Sequence, residues 1–284
     1  NIQEAYGLKP DLLVYAGLRA EKYLANNFPE KDYALIEEAE QNIERIQPLR
    51  LVLISTVDVY QNPVKVDEDT DISIDGLQAY GANRYRLEQW VRERYPEALI
   101  IRLPGLFGKN LKKNFIYDFI HRIPFMLKEE KFSGFAFRFP ELREYYEKLD
   151  NGFYRCRKLD SKEEAVVKEI FKQLDFSALC FTDSRSIFQF YPLARLWDDI
   201  RIAMSSDIKL WNPATEPVSA AELYRDLTGI DFVNKISDKP ACYDYRTKYA
   251  EYFGGKGGYI MTKTQVIEEI RKFVAEETER KEEE

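Results

Sequence analysis

Three short apolar runs constrain this chain more than any other feature: DLLVYAG (11–17), LRLVLIS (49–55) and ALIIRL (98–103). Continuous apolar runs of this length suit strands buried on both faces, as in a parallel sheet under helices. Between the first two lies DYALIEEAEQNIERIQ (32–47), whose Ala34, Leu35, Ala39, Ile43 and Ile46 fall at helical spacing. Between the second and third, GANRYRLEQWVRERY (81–95) puts Leu87, Trp90 and Val91 on one helix face, and Pro96 stops the helix. The order strand, helix, strand, helix, strand predicts right-handed βαβ crossovers. The expected class is therefore α/β, with a Rossmann-like, doubly wound parallel sheet.

Bulk properties exclude several function classes. With 284 residues and 45% hydrophobic content, the chain has material for one large domain or two modest ones. A formal net charge of −7 argues against a nucleic-acid partner, which needs a basic face. Three cysteines (Cys156, Cys180 and Cys242) without regular spacing point to a reducing, cytoplasmic setting rather than a disulfide framework. One histidine and no Cys-x-x-Cys predict no metal site. That histidine, His121 in FIYDFIHRI, reads as a helix-surface or packing residue. No apolar run approaches the roughly 20 residues of a membrane span, and no signal peptide is visible.

From about residue 114 the character changes, and a soft boundary near 110–125 divides 1–115 from 116–284. The first part reads as a dinucleotide-binding domain. The second reads as a smaller, mixed α/β substrate region with some segments returning to the sheet. NFIYDFIHRIPFMLKEE reads as a helix broken at Pro124, and SKEEAVVKEIFKQL as a helix with Ser161 as N-cap and Glu164 in a capping box. ARLWDDIRIAM is a third helix, and SAAELYRDLTG a fourth, capped by Ser219 and stopped by Gly229. FQFYPLARLWDDI is expected to pack the substrate region onto the sheet, with Trp197 in the core. CYDYRTKYAEYFGG is expected as a surface helix rather than a sugar-diphosphate pocket. The acidic run Asp67, Glu68, Asp69 and Asp71 is expected as a solvated loop, and FGGKGGY (253–259) as a flexible turn.

The chemistry gathers after the second run. LVLISTVDVYQNP ends its strand on Ser55, Thr56 and Asp58, and in a doubly wound sheet ligands lie beyond the carboxyl ends of the strands. Further on, Tyr80 opens the next helix with Arg84 one turn away on the same face. A nearby cation stabilises a phenolate and lowers the phenol's pKa.

Here the sequence resembles the extended short-chain dehydrogenases/reductases, the nucleotide-sugar epimerases, dehydratases and reductases. The resemblance is carried by Ser55-Thr56-Val57-Asp58-Val59-Tyr60, by Tyr80-Gly81-Ala82-Asn83-Arg84 with Glu88, and by Arg102-Leu103-Pro104-Gly105-Leu106-Phe107-Gly108, in the family's order and spacing. Asn42 matches an asparagine of the helix after the first run. The clear likeness spans roughly residues 11 to 115. It implies that Thr56 holds the reacting sugar oxygen and Tyr80 is the general acid/base. Arg84 stands where the family's lysine contacts the nicotinamide ribose. Ala16, Gly17, Ser55, Pro104 and Gly105 would line the NAD or NADP site, while Asp58 and Asn114 would face a nucleotide-sugar substrate. A homodimer through the two helices that precede the second and third runs is implied as well.

Two departures stand out. Arginine replaces the lysine at position 84, and it keeps its charge but is bulkier, planar and unable to release a proton. The family's Gly-x-x-Gly-x-x-Gly turn is not found. DLLVYAG matches the family's fourth strand, so the first βαβ unit is expected to precede Asn1. Asp58 with apolar Val57 beside it is half of the dehydratase acid pair, which favours reduction or epimerisation. The expected function is an NAD(P)-dependent epimerase or reductase. The alternatives are an inactive member that binds a dinucleotide or sugar nucleotide as a sensor or scaffold, and a partner subunit that binds no cofactor.

Overall fold

The computed structural model describes residues 2–112 and 114–283, without the side chains of 281–283. In chain order it contains β1 (Leu13–Tyr15), α1 (Lys22–Asn27), α2 (Pro29–Ile46), β2 (Leu51–Thr56), α3 (Ala79–Arg94), β3 (Leu99–Leu103), β4 (Gly105–Phe107), α4 (Phe115–His121), β5 (Met126–Lys128), α5 (Glu129–Arg138), β6 (Tyr146–Lys148), β7 (Phe153–Cys156), α6 (Ser161–Gln173), β8 (Ile187–Phe188), β9 (Phe190–Pro192), α7 (Leu196–Ser205), β10 (Leu210–Trp211), β11 (Val218–Ser219), α8 (Ala220–Thr228) and α9 (Lys263–Glu283). Two compact units emerge. One comprises Asn1–Leu106, Phe188–Pro217 and Cys242–Val266; the other Phe107–Ile187, Val218–Ala241 and Ile267–Glu284.

The first unit is built on a parallel sheet in the order β1-β2-β3-β10. Val52 pairs with Leu99 and Thr56 with Leu103, so β2 and β3 end level at their carboxyl ends. The three apolar runs form β1, β2 and β3, as their composition predicts. β3 is buried at all five positions. α2 and α3 lay Ile36, Ala39, Ile43, Leu87 and Val91 against Leu51, Leu53 and Ile100. Fully burying one such side chain is worth roughly 1.5–3 kcal/mol. The buried stripe of α2 differs from the expected one. Ile36 rather than Leu35 leads it, Ala34 is exposed, and the helix also buries Asp32 and Asn42. Those two polar positions displace the apolar spacing by one residue.

The second unit holds an antiparallel sheet, β5-β7-β6. Its core is aromatic: Phe132 stacks on Tyr154 at 3.9 Å, and Phe171 meets Phe135 edge-on. The buried Tyr146 hydroxyl donates to the Pro124 carbonyl at 2.5 Å, which satisfies an otherwise costly polar group.

Several local expectations are corrected. The helix expected to run to Pro124 stops at His121, where Arg122 adopts a left-handed conformation (φ 63°), and Met126–Lys128 pairs as a strand instead. Asp160, not Ser161, caps α6, with Glu163 closing the capping box. A carboxylate one residue earlier is as good a cap as serine, and spacing alone does not separate them. Ser219 and Gly229 bound α8 as expected. Trp197 is 53% exposed on α7 rather than in the core. Residues 242–249 form no surface helix: Tyr245 is fully buried, its backbone held by Gln189. Glu68 is buried and accepts from Thr247 Oγ1 at 2.6 Å and from the backbone N–H groups of Asn212 and Lys248 at 2.8 and 3.0 Å. One member of the acidic run is therefore an anchor, not a solvated side chain.

Candidate active site

Tyr80 sits at the start of α3, beside the carboxyl end of β2. Three features of the local sequence place it there. Thr56 ends the strand and its hydroxyl accepts from the Asp58 N–H at 3.2 Å, turning the chain into a short 3-10 helix. Gly81 lets α3 press against that turn, since a Cβ at position 81 would lie 2.1 Å from the Asp58 carbonyl oxygen. Asn26, from α1, accepts from the Tyr80 N–H at 2.9 Å and donates to Gln78 Oε1 at 2.6 Å. It thus caps a helix whose own N-cap residue, Gln78, makes no side-chain cap.

The Tyr80 side chain is buried, and burial raises its pKa above the ordinary value of 10.0. The Arg84 charge opposes that rise, the Asp58 charge adds to it, and the Thr56 hydroxyl and Lys22 work against it. The phenol is accordingly protonated at neutral pH.

Arg84 stacks its guanidinium over the Tyr80 ring at 4.0 Å. It is ion-paired with Asp32, and the two side chains are only 3% and 5% exposed. It also donates to the Arg19 carbonyl at 2.9 Å and the Tyr80 carbonyl at 3.4 Å. Asn83 adds a bond to the same Asp32 carboxylate at 2.9 Å. The residue expected to face a ribose is thus a buried brace between α2, α3 and the segment after β1.

The strand-end acid is more accessible. Asp58 accepts from Lys22 Nζ at 2.8 Å and from the Tyr243 hydroxyl at 2.9 Å, and the Lys22 side chain is 47% exposed. Burial disfavours the Lys22 charge, but Asp58 outweighs it and holds the ammonium at about 12.

Ser55 turns the other way. It donates to Glu88 at 2.5 Å, Glu88 pairs with Arg102 at 2.7 Å, and Arg102 donates to the Tyr60 hydroxyl at 2.7 Å. The Tyr60 hydroxyl donates to the Asp67 carbonyl at 2.6 Å and accepts from Asn212 Nδ2 at 3.0 Å. This network is buried beneath the strand ends, and it engages the hydroxyl that the resemblance offers to the cofactor. Ala16 and Gly17 are exposed just past β1, Gly105 is exposed and Pro104 half-buried just past β3. Asn114 belongs to the second unit, where its side chain caps α4 by accepting from the Tyr117 N–H at 2.9 Å.

Lys22, Asn26, Asp32 and Tyr243 were not legible as members of this cluster. They come from separate segments, and none lies in a recurring spacing with Tyr80. Among the described residues, no group of three or more His, Cys, Asp or Glu side chains is placed to hold a metal ion. No described helix is long and apolar enough to cross a membrane.

The parallel sheet β1-β2-β3-β10 with α2 and α3 packed against it is a Rossmann-type α/β fold. Solved structures of nucleotide-sugar reductases and epimerases superpose on nearly the whole chain. The dTDP-4-dehydrorhamnose reductase from Bacillus anthracis, solved with NADP, matches with a TM-score of 0.59 at 16% identity, over 97% of this chain and 85% of that one. The same enzyme from Yersinia enterocolitica matches with a TM-score of 0.61 at 12% identity, over 96% and 84%. The UDP-glucose 4-epimerase from Thermotoga maritima, solved with UDP-glucose, matches with a TM-score of 0.57 at 13% identity, over 100% and 82%. At these identities what is shared is the fold. No family model matches the chain, and no curated protein matches it by sequence.

Proposed function

We propose that this chain is an extended short-chain dehydrogenase/reductase: an NAD(P)-dependent reductase or epimerase of a nucleotide-linked sugar, with Tyr80 as its general acid/base. The observation that carries the reading is Tyr80, buried at the head of α3 beside the end of β2 that bears Thr56, in a fold whose solved neighbours include nucleotide-sugar reductases and epimerases. A nicotinamide at this edge would be lined by Ala16, Gly17, Tyr80, Pro104 and Gly105, and these exposed backbone segments and the phenol fit that end of the cofactor. Bound there, the nicotinamide supplies or accepts the hydride.

The chain's own residues handle the proton. Tyr80 holds it on its phenol oxygen and donates it to a sugar carbonyl oxygen. Thr56 orients that oxygen. Burial keeps the phenol in its donor form, which suits the reductive direction. NAD(P)H and nucleotide-sugar binding, a cytoplasmic setting and a homodimer through α2 and α3 belong to the same proposal.

The second reading, a sensor or scaffold that binds the nucleotide without turnover, is favoured by the engagement of Arg84 with Asp32. The experiment is titration of the full chain with NADH and NADPH by nicotinamide fluorescence, followed by a screen of nucleotide sugars with wild type and Tyr80→Phe. Saturable binding with turnover lost in Tyr80→Phe supports the enzyme. Binding without turnover supports the sensor, and no binding by folded protein rejects both.

A further inference from the structure

Tyr80 is the second residue of α3, in the turn where a helix has N–H groups without intrahelical partners. Helix ends fray, and this end has little of its own to hold it. Gln78 stands at the N-cap, where a Ser, Thr, Asp or Asn side chain would accept from the first turn, and it makes no such bond. Gly81 follows Tyr80. It is required by the close approach of the Asp58 carbonyl, yet glycine weakens a helix wherever it stands inside one.

Asn26 supplies the missing cap from another element. Its side-chain oxygen accepts from the Tyr80 N–H at 2.9 Å, and its amide nitrogen donates to Gln78 Oε1 at 2.6 Å. One side chain therefore holds both Tyr80 and the N-cap residue before it. α1 has only six residues, too few to be stable alone, so its place is set by its contacts. The Arg19 carbonyl just before it accepts from Arg84 at 2.9 Å. Lys22, one turn before Asn26 and on the same helix face, donates to Asp58 Oδ1 at 2.8 Å. Lys22 and Asn26 thus fasten α1 to the two ends of the connection between β2 and α3.

We propose that Asn26 is a positioning residue for Tyr80. It caps α3 from α1 and so fixes the tyrosine's backbone beside the strand end that bears Thr56. The catalytic consequence rests on the reading of Tyr80 as the proton donor. The tether itself does not.

The test uses the full chain with tyrosine labelled by the heavy nitrogen isotope, where the Tyr80 amide resonance is the one missing from Tyr80→Phe. Asn26→Leu keeps the size of the side chain and removes the acceptor. Asn26→Asp keeps the acceptor and adds a negative charge, which the start of a helix favours. The Tyr80 amide proton is expected to move upfield in Asn26→Leu and to stay hydrogen-bonded in Asn26→Asp, while the amides of Tyr15 and Tyr245 keep their positions. A Tyr80 resonance that does not move in Asn26→Leu overturns the proposal. So does one that moves only together with those of Tyr15 and Tyr245, the mark of a merely structural asparagine. In the reductive direction Asn26→Leu should lower kcat about tenfold with the KM for NADPH near the wild-type value, and Asn26→Asp should restore kcat. An unchanged kcat in Asn26→Leu overturns the positioning role. A wild-type chain that turns over no nucleotide sugar defeats the enzyme reading alone, and the amide resonance then decides the tether.

Discussion

Gly81 and Asp58 touch in a way that leaves no room for a side chain: a Cβ on Gly81 would sit 2.1 Å from the Asp58 carbonyl oxygen. The obstacle is backbone, so it cannot rotate aside. Gly81→Ala is expected to push α3 off the strand-end turn and to cost about 1–3 kcal/mol, as overpacked sites do. Urea unfolding measures the loss, and activity should fall further than stability because Tyr80 moves with the helix.

The buried Arg84–Asp32 pair makes the opposite kind of prediction. Asp32→Ala leaves a guanidinium withdrawn from water without its counterion, which costs about 3–5 kcal/mol. The double variant Asp32→Leu/Arg84→Met should recover much of that stability. A double variant no more stable than Asp32→Ala would show that the pair is not a unit.

Ser55, Glu88 and Arg102 form a second buried unit. Arg102→Met strands the Glu88 carboxylate, which is fully buried, and should destabilise by about 3–5 kcal/mol. Ser55→Ala removes one hydrogen bond of several and should cost about 1–3 kcal/mol. If Ser55 instead served a cofactor, Ser55→Ala would weaken NADPH binding with stability intact, and parallel melting and binding curves separate the two.

Asp118 on α4 is a titration probe in the second unit. Burial pushes its carboxyl from 3.8 up to about 7. Between those values the folded chain binds a proton that the unfolded chain has released. Stability therefore falls as pH rises through that window, and the penalty is complete above about 7. Asp118→Asn should be more stable than wild type above that pH and indistinguishable from it below 3.8, read from urea midpoints across the range.

The proposed reductive turnover has its own pH signature. A phenol raised above 10.0 stays protonated through the neutral range, so activity in the reductive direction should be flat there and decline only at the alkaline extreme. A decline centred near neutral pH would remove Tyr80 as the donor.

The α/β class was legible because continuous apolar runs and helical spacing state it locally, residue by residue. β1, β2 and β3 needed no long-range information. The cap of α6 and the end of α4 were misplaced because Asp160 and Ser161 are equivalent cap formers, and because Arg122 in a left-handed conformation carries no sequence mark. Tyr80, Thr56 and Arg84 could be named from their spacing, but the direction in which Ser55 and Arg84 point could not. That direction is set by Glu88 and Asp32, which owe their places to helix packing. The burial of Glu68 is hidden from the sequence for the same reason, since its partners Thr247 and Asn212 lie far along the chain.

The Tyr80 amide is tied neither to its own helix nor to the sheet but to the side chain of Asn26 on α1. Its hydrogen-exchange rate is therefore a clock for that short helix: each time α1 lifts away, this one N–H meets solvent, and the chain reports its own breathing at the residue proposed to move the proton.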